Sequence, residues 1–346
     1  MRIAFVLPAP VRVPGGGPRV VMRHAAGLAR RGHDVRVVAP RWIPGEESLA
    51  RAAAVSAWNW LQGTRTDRTD DATSIGVHTV GRLRAEDLDD DAVIATGIQT
   101  VYTVNRTGNR AWWFMQGDET FVRSDAPDAW GLPLRKVVCS RWLADAVRLA
   151  GHRVEGVVPN AVDPGAFALD RPPEAREESV LALYHRHPVK GPETLLSTYA
   201  RLRESRPGAR LTLFAARSPS HRVPRGVDVV VRPDPGRLRR LYNEAAVFLH
   251  TSTREGWALT PMEAAACGAA VVATDSRGPS EYLTAGVSMT QVAPGDVDGL
   301  VQATHALLDD TGARVAQARA ALDAVARFDW DASTDAFERL LVGGAP

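Results

Sequence analysis

Residues 247–274, VFLHTSTREGWALTPMEAAACGAAVVAT, contain a strand, a polar loop, a helix and a second strand in that order. The apolar runs 247–250 and 271–274 have the length of buried strands. Between them, Thr260 is a favourable N-cap residue and Pro261 suits the first turn of a helix. A strand, a helix and a strand in so short a span predict a βαβ unit, which requires a parallel sheet.

The same alternation of strand-length apolar runs with helix-period stretches extends over most of the chain. It is typical of parallel sheets covered by helices on both faces, so the predicted fold class is α/β. Helices are predicted over 18–30, with Gly32 as its C-cap, over 192–204 and over 331–341. Strands are predicted over 3–7, 35–39, 75–80, 92–95, 111–115, 137–140, 154–158, 180–184, 211–215, 227–231, 247–250 and 271–274.

The length of 346 residues favours two domains and therefore a cleft between them. Residues 159–178 combine prolines and a glycine with a run of charged side chains, which is the composition of a linker. We expect a first domain over 1–163, a second over 164–328 and a C-terminal segment over 329–346.

Charge and cysteine content exclude several classes of protein. The 42 Lys and Arg residues against 40 Asp and Glu give a net charge of +2, too balanced for binding nucleic acid through its phosphates. Cys139 and Cys267 have no partners at metal spacing and predict reduced thiols. The first apolar run stops at Pro8, and no window approaches the roughly 20 apolar residues that cross a bilayer. The expected location is cytoplasmic, with the inner face of the membrane as an alternative.

Two carboxylates lie around the loop that precedes the helix at Pro261. Ligands of open α/β sheets bind at the carboxyl ends of strands, and the free N–H groups of a helix start attract anions. Glu255 in the loop and Glu263 in the first turn could both accept hydrogen bonds from sugar hydroxyls. Each also has a structural explanation: Glu255 as a solvated side chain, and Glu263 as half of a capping box with Thr260.

A second polar loop follows the predicted strand 180–184 and carries two cations, Arg186 and Lys190. Such a pair could bind a diphosphate, each charge-assisted hydrogen bond contributing roughly 1.5–3 kcal/mol. The alternative is that both side chains are simply exposed. His185 and His187 have no carboxylate or cysteine neighbours at metal spacing, so no metal site is expected.

Gly15, Gly16 and Gly17 follow the first strand, where glycines let a ligand approach the backbone closely. They do not form the G-x-G-x-x-G fingerprint, and no acidic residue ends the second strand, which disfavours an NAD dehydrogenase. The sequence also contains no phosphate-binding G-x-x-x-x-G-K-[ST] loop and no G-x-S-x-G nucleophile elbow.

Five collinear segments together resemble the retaining glycosyltransferases of family 4, which have the GT-B architecture. The first is the E-x7-E pattern of Glu255 and Glu263, continuing to residue 281. The others are residues 15–17 with 30–35, 139–143, 159–167, and Arg186 with Lys190 and Gly191. The resemblance implies two Rossmann-like domains that face a central cleft, with the C-terminal helix crossing back to the first domain.

The activity that the resemblance implies is transfer of a sugar, with retention, from a nucleotide-sugar to a glycan, a lipid-linked glycan or a small molecule. It implies neither metal nor cofactor, only a UDP-, GDP- or other NDP-sugar as co-substrate. Arg186 and Lys190 would neutralise the diphosphate, while Glu255 would contact the sugar and Glu263 the ribose. Glu255, Arg186 and Lys190 are thus the catalytic candidates. The other donor-binding candidates are Gly15, Gly16, Gly17, Trp257, Leu259 and Thr260.

The first domain would bind the acceptor. Residues 114–119 resemble a Gln-Asp-x-Glu-like stretch of some bacterial polysaccharide enzymes in the family, which makes Gln116 and Asp118 acceptor-binding candidates, with turn capping as the alternative. Arg19, Arg23 and Arg30 form a basic stripe on the first predicted helix. This stripe could contact anionic lipid, or it could be an ordinary solvated face.

Two other functions are compatible with the same architecture. One is an epimerase acting on the nucleotide-sugar alone, which would need acid and base residues that the sequence does not identify. The other is a non-catalytic protein that binds the nucleotide-sugar. Turnover with and without an acceptor distinguishes the three.

Overall fold

The computed structural model of the protein describes residues 1–9, 15–42, 75–120, 124 and 126–343. The chain forms two compact units. The first consists of Met1–Asn160 together with Trp330–Pro346, and the second of Ala161–Asp329.

The first unit contains a parallel sheet in the order β3-β2-β1-β4-β5-β6-β7. Its elements, in chain order, are β1 (Arg2–Val6), α1 (Gly16–Arg30), β2 (Asp34–Trp42), β3 (Val77–Arg82), β4 (Ala92–Ala95), α2 (Ile98–Asn105), β5 (Ala111–Met115), β6 (Arg135–Val138), α3 (Arg141–Leu149) and β7 (Gly156–Val157).

The second unit contains a parallel sheet in the order β10-β9-β8-β11-β12-β13. Its elements are β8 (Ser179–Tyr184), α4 (Pro192–Ser205), β9 (Arg210–Ala215), β10 (Val227–Val231), α5 (Pro235–Glu244), β11 (Val247–His250), α6 (Leu259–Ala266), β12 (Ala270–Thr274), β13 (Thr290–Val292), α7 (Val297–Asp309) and α8 (Thr311–Val325). The last helix, α9 (Trp330–Gly343), belongs to the first unit.

Four strands are buried along their whole length, which is why they occur in the sequence as largely apolar runs. Every residue of β4, β5, β11 and β12 is buried. Strands of this kind need helices on both faces of the sheet. The predicted α/β class, with two parallel sheets, is confirmed.

Each sheet has one place where the strand order reverses. In the first sheet this switch point lies between β1 and β4, and in the second between β8 and β11. The connections from the two strands at a switch point run in opposite directions, which opens a crevice at the carboxyl ends of the strands. Open α/β sheets bind ligands in this crevice.

Helix α9 packs against α1 through an aromatic cluster around His24. The His24 ring makes edge-to-face contacts with Phe114, Trp330 and Phe337, with centroids 5.1–5.5 Å apart. Burial lowers the pKa of His24 to about 3, so the ring is neutral and packs as an aromatic side chain. At the end of α1, Arg31 pairs with Asp335 of α9 at 2.6 Å.

Residues 159–178, predicted as a linker, include a buried cation. Arg176 is 5% exposed, and burial lowers its pKa to about 10. Its guanidinium donates to the carbonyls of Tyr242 and Ala245 at the end of α5, at 3.2 and 2.7 Å, and to that of Cys267 just after α6. Arg176 therefore binds the C-terminal ends of two helices. The last carbonyls of a helix have no hydrogen-bond partner within it and carry a negative partial charge.

Candidate functional site

The two polar loops singled out from the sequence lie together at the switch point of the second sheet. One follows β8 and the other follows β11, and these strands are neighbours. Lys190 Nζ lies 2.6 Å from Glu255 Oε1, and the Thr253 amide donates to the Val189 carbonyl at 2.8 Å. The predicted diphosphate cation and the predicted sugar-binding carboxylate thus share one crevice.

A tight turn brings Lys190 into this position. Residues Pro188–Lys190 form a short 3-10 turn, and Gly191 then adopts a left-handed conformation with φ 62° before Pro192 opens α4. A Cβ at Gly191 would collide with the carbonyl oxygen of Thr251. Only glycine satisfies both the conformation and the close approach.

We expect Gly191→Ala to destabilise the second unit by about 1–3 kcal/mol, because it adds a left-handed non-glycine residue and a backbone collision.

Ala258→Gly is the matched substitution, which removes a left-handed non-glycine residue. Ala258 has φ 69° without being glycine, so relief of its strain should stabilise the protein by about 0.5–1 kcal/mol. Thermal unfolding measures both; equal effects of the two variants would contradict this account of the site's backbone.

Glu255 is held as an ionised carboxylate. Its side chain is 12% exposed, and its Oε1 accepts hydrogen bonds from Lys190 and, at 2.7 Å, from Ser252 Oγ. Burial alone would raise the pKa of Glu255, but the Lys190 charge and these two hydrogen bonds outweigh burial and lower it. Glu255 is therefore not a solvated loop side chain.

Two residues near Glu255 were not identified from the sequence. Ser252 bonds its carboxylate, and His250 Nε2 lies 3.9 Å from Glu255 Oε1 and 3.3 Å from Ser276 Oγ. Burial lowers the pKa of His250 to about 4, so this histidine is neutral. His250 ends β11 and Ser252 lies in the loop that carries Glu255. This proximity in the sequence to a predicted site residue could have identified both.

Helix α6 starts earlier than its sequence indicates. It begins at Leu259, with the left-handed Ala258 as its N-cap, so Thr260 lies inside the first turn and not at the N-cap. The Ala258 carbonyl accepts the Tyr282 hydroxyl at 2.5 Å. The prediction of Thr260 as the N-cap is therefore wrong, and the alternative of a capping box between Thr260 and Glu263 falls with it, because it requires Thr260 before the helix.

The side chains of Trp257 and Glu263 are buried in the second unit. The Trp257 ring makes a tilted contact with Tyr282 and an edge-to-face contact with Phe328, both with centroids 5.3 Å apart, and is 3% exposed. Glu263 is also 3% exposed, and its Oε2 accepts the Tyr242 hydroxyl at 3.0 Å. Trp257 therefore supports the helix start through packing, and any ligand contact from it would come from its backbone.

Arg186 differs from Lys190 in its surroundings. It is exposed, and in the described part of the chain it forms no ion pair, whereas Lys190 is half-buried against Glu255. The structure brings Lys190, Glu255 and the start of α6 into one unit; it leaves the Arg186 side chain at the surface of the same loop.

The candidates of the first unit lie at the carboxyl edge of its own sheet. Gly15 is the N-cap of α1, and Gly16 and Gly17 form the first helical turn, so the predicted helix start at residue 18 is two residues late. The Gln116 amide lies beside Gly17, 3.5 Å from where a Cβ would be. Asp118 is 4% exposed and accepts the Thr120 hydroxyl at 3.2 Å.

The basic stripe of α1 makes at least one ion pair within the first unit. Arg30 lies 3.6 Å from Asp331 of α9. Among the described residues, no helix is long and apolar enough to cross a membrane. The same part of the chain contains no group of three or more His, Cys, Asp or Glu side chains arranged to hold a metal ion.

Comparisons with known proteins find glycosyltransferases. Residues 179–310 match the family described as "Glycosyl transferases group 1". D-inositol 3-phosphate glycosyltransferase of Segniliparus rotundus is 28% identical over 275 residues, which cover 65% of this chain and 59% of that protein. The match thus spans less than two thirds of the relative's length.

Solved structures share the fold. Anabaena Alr3699/HepE, crystallised with UDP-glucose, has a TM-score of 0.75 and 16% identity, covering 99% of this chain and 100% of its own. WaaG, a glycosyltransferase of lipopolysaccharide biosynthesis, has a TM-score of 0.71 and 16% identity, covering 99% and 100%. The two parallel-sheet α/β units therefore have structural neighbours that are GT-B glycosyltransferases.

Proposed function

We propose that the protein is a retaining glycosyltransferase of family 4 that uses a nucleotide-sugar, with a UDP-sugar as the first donor to test. The observation that carries this proposal is the Lys190–Glu255 pair at the switch point of the second sheet, beside the start of α6. The family match over 179–310 covers these residues, and HepE was crystallised with UDP-glucose.

The diphosphate of the donor is assigned to Lys190 and to the free amides at the start of α6. A lysine ammonium has three donors, so Lys190 can keep its bond to Glu255 while it binds a phosphate oxygen. Arg186, exposed on the same loop, supplies a second cation when it turns toward the phosphates. Glu255 faces the sugar and Glu263 the ribose, while Trp257, Leu259 and Thr260 contribute backbone contacts to the donor.

The reaction needs no protein nucleophile. The bond between the anomeric carbon and the diphosphate oxygen breaks, and the acceptor oxygen forms its bond to the same carbon on the same face. The acceptor's proton passes to the departing phosphate oxygen. Negative charge grows on the diphosphate in the transition state, and Lys190 and the helix amides stabilise it there.

The acceptor is assigned to the first unit. Gln116 and Asp118 of that unit are proposed to bind the hydroxyl groups of the acceptor. The acceptor class is a polyhydroxylated molecule, either a glycan or a small polyol phosphate such as the one named for the Segniliparus rotundus relative. Cytoplasmic location, and contact with the inner face of the membrane through Arg19, Arg23 and Arg30, belong to the same proposal.

The first experiment is a thermal-shift panel of UDP-, GDP-, ADP- and dTDP-sugars, followed by product analysis with and without an acceptor. A donor at 100 times its dissociation constant should stabilise the protein by about 2.7 kcal/mol. Myo-inositol 3-phosphate and simple sugars serve as first acceptors, and product NMR reads the anomeric configuration. The proposal would be overturned if none of the four donors raised the unfolding temperature, or if the donor were converted at the same rate with and without an acceptor.

A further inference from the structure

Glu119 is a buried carboxylate that the proposed reaction does not use. It follows β5 and is 8% exposed. Its backbone has φ 57°, a left-handed conformation that is uncommon outside glycine. Strain of this kind persists where the surrounding structure imposes it.

The carboxylate binds the start of the neighbouring helix. Glu119 Oε2 accepts the amide of Ile98, the first residue of α2, at 2.5 Å. The N-cap residue of that helix is Gly97, which has no side chain to do so. Glu119 therefore supplies from β5 the cap that α2, after β4, does not supply itself.

The groups around this carboxyl come from three elements. The Ile98 amide faces it from α2, and the indole of Trp113 lies near it on β5; both favour the ionised form. The charged neighbour is Asp118, on the same segment, whose negative charge favours the protonated form. Burial is the largest influence, and together these raise the pKa of Glu119 to about 7.

We infer that Glu119 is a positioning residue: its ionised carboxylate, bound to the first amide of α2, holds residues 116–118 in place at the carboxyl edge of the first sheet, and protonation weakens that hold. A protonated carboxyl loses the charge that strengthens a bond to a helix amide. The consequence of this hold for acceptor binding rests on the proposed function, in which Gln116 and Asp118 bind the acceptor.

The direction of the pH effect follows from the raised pKa. Below pH 6 most molecules carry a neutral Glu119, and above pH 8 most carry the carboxylate. The segment 116–118 is therefore held more firmly at pH 8 than at pH 6, and acceptor affinity should rise across this interval.

Selective labelling can test the inference on the ligand-free protein. The chain has five isoleucines, Ile3, Ile43, Ile75, Ile94 and Ile98, so 15N-isoleucine labelling gives a short spectrum that Ile98→Val assigns. We expect the Ile98 amide signal to move with a midpoint near pH 7, and to stay still in Glu119→Gln. In Asp118→Asn the midpoint should fall, because a repelling charge is removed.

Hydrogen exchange supplies the second readout. Amides of residues 116–118 should exchange at least tenfold faster, relative to the intrinsic rate, at pH 6 than at pH 8, and this difference should vanish in Glu119→Gln. The inference would be overturned if the Ile98 signal titrated equally in Glu119→Gln. It would also be overturned if the exchange rates of residues 116–118, relative to the intrinsic rate, were the same at both pH values and in both proteins. These arms use no substrate, so they succeed or fail independently of the donor panel. Once an acceptor is found, only its KM should follow this pH profile, and the KM of the donor should not.

Discussion

Lys190→Ala is expected to abolish binding of the nucleotide-sugar, with at least a 100-fold loss of affinity for UDP-glucose. Two charge-assisted contacts to the diphosphate, each contributing about 1.5–3 kcal/mol, would disappear. The same change leaves Glu255, whose side chain is 12% exposed, as an unpaired buried carboxylate. Breaking such a pair costs up to about 3–5 kcal/mol of stability, less here because Lys190 is partly exposed.

The double variant Lys190→Ala/Glu255→Gln distinguishes the two effects. It removes both charges, so it should regain most of the stability that Lys190→Ala loses. It should still fail to bind UDP-glucose, because the cation is absent. Calorimetry of binding, with thermal unfolding in parallel, measures both. If the double variant binds UDP-glucose like the wild type, the pair is a structural ion pair only.

The pair also predicts a pH dependence of stability. The pKa of Glu255 is lower in the folded protein than in the unfolded chain. Its contribution to stability is therefore present above the unfolded pKa and is lost as the pH falls through the folded pKa. Lys190→Ala should remove this dependence, so the wild type and the variant should converge in stability in acid. Parallel pH profiles would show that Lys190 does not hold Glu255 in its ionised form.

Arg176→Met is expected to destabilise the second unit by about 3–5 kcal/mol, the second largest effect that the structure predicts. The methionine fills much of the volume, but the carbonyls of Arg171, Tyr242, Ala245 and Cys267 lose their donor. Three of these carbonyls end α5 and α6. Denaturant unfolding of the full chain measures the loss of stability.

The matched control is Arg319→Met. Arg319 pairs with Glu174, but both side chains are largely exposed, at 66% and 42%. An exposed pair contributes about 0–1 kcal/mol, so this variant should unfold nearly like the wild type. Equal destabilisation by the two substitutions would contradict the role assigned to the Arg176 hydrogen bonds.

The sequence predicted the parts of the fold that depend on burial and topology. Strands 92–95 and 247–250 are found at their predicted bounds, because a short apolar run matches a fully covered strand. Lys190 and Glu255 are 65 residues apart, yet both were assigned to one crevice. That inference combined the rule that parallel strands align their carboxyl ends with the resemblance to family 4.

The start of α6 depends on tertiary contacts that local propensity does not contain. Thr260 has the best capping side chain in the segment, but the helix begins at Leu259 because Ala258 is fixed in a left-handed conformation. Gly278 lies against the Trp257 backbone, where a Cβ would approach within 2.7 Å, and Tyr282 bonds the Ala258 carbonyl. These contacts come from residues 20 or more positions away.

For a related reason, the burial of two charged groups, Arg176 and Glu119, was not predicted. Charged residues near prolines are typical of linkers, and nothing local shows that distant helix carbonyls surround Arg176. Glu119 had no predicted role beyond that of last residue in the Gln-Asp-x-Glu-like stretch 114–119, since its partner Ile98 belongs to another strand–helix connection. Burial of a charge depends on partners that only the folded chain brings together.

The most direct test of the account compares UDP with uridine as ligands of the wild type and of Lys190→Gln. The central claim is that a diphosphate binds at Lys190 beside the start of α6. Calorimetry should show UDP binding the wild type at least 100-fold more tightly than uridine, and this advantage should shrink at least tenfold in Lys190→Gln. An equal UDP affinity in the two proteins would contradict the claim.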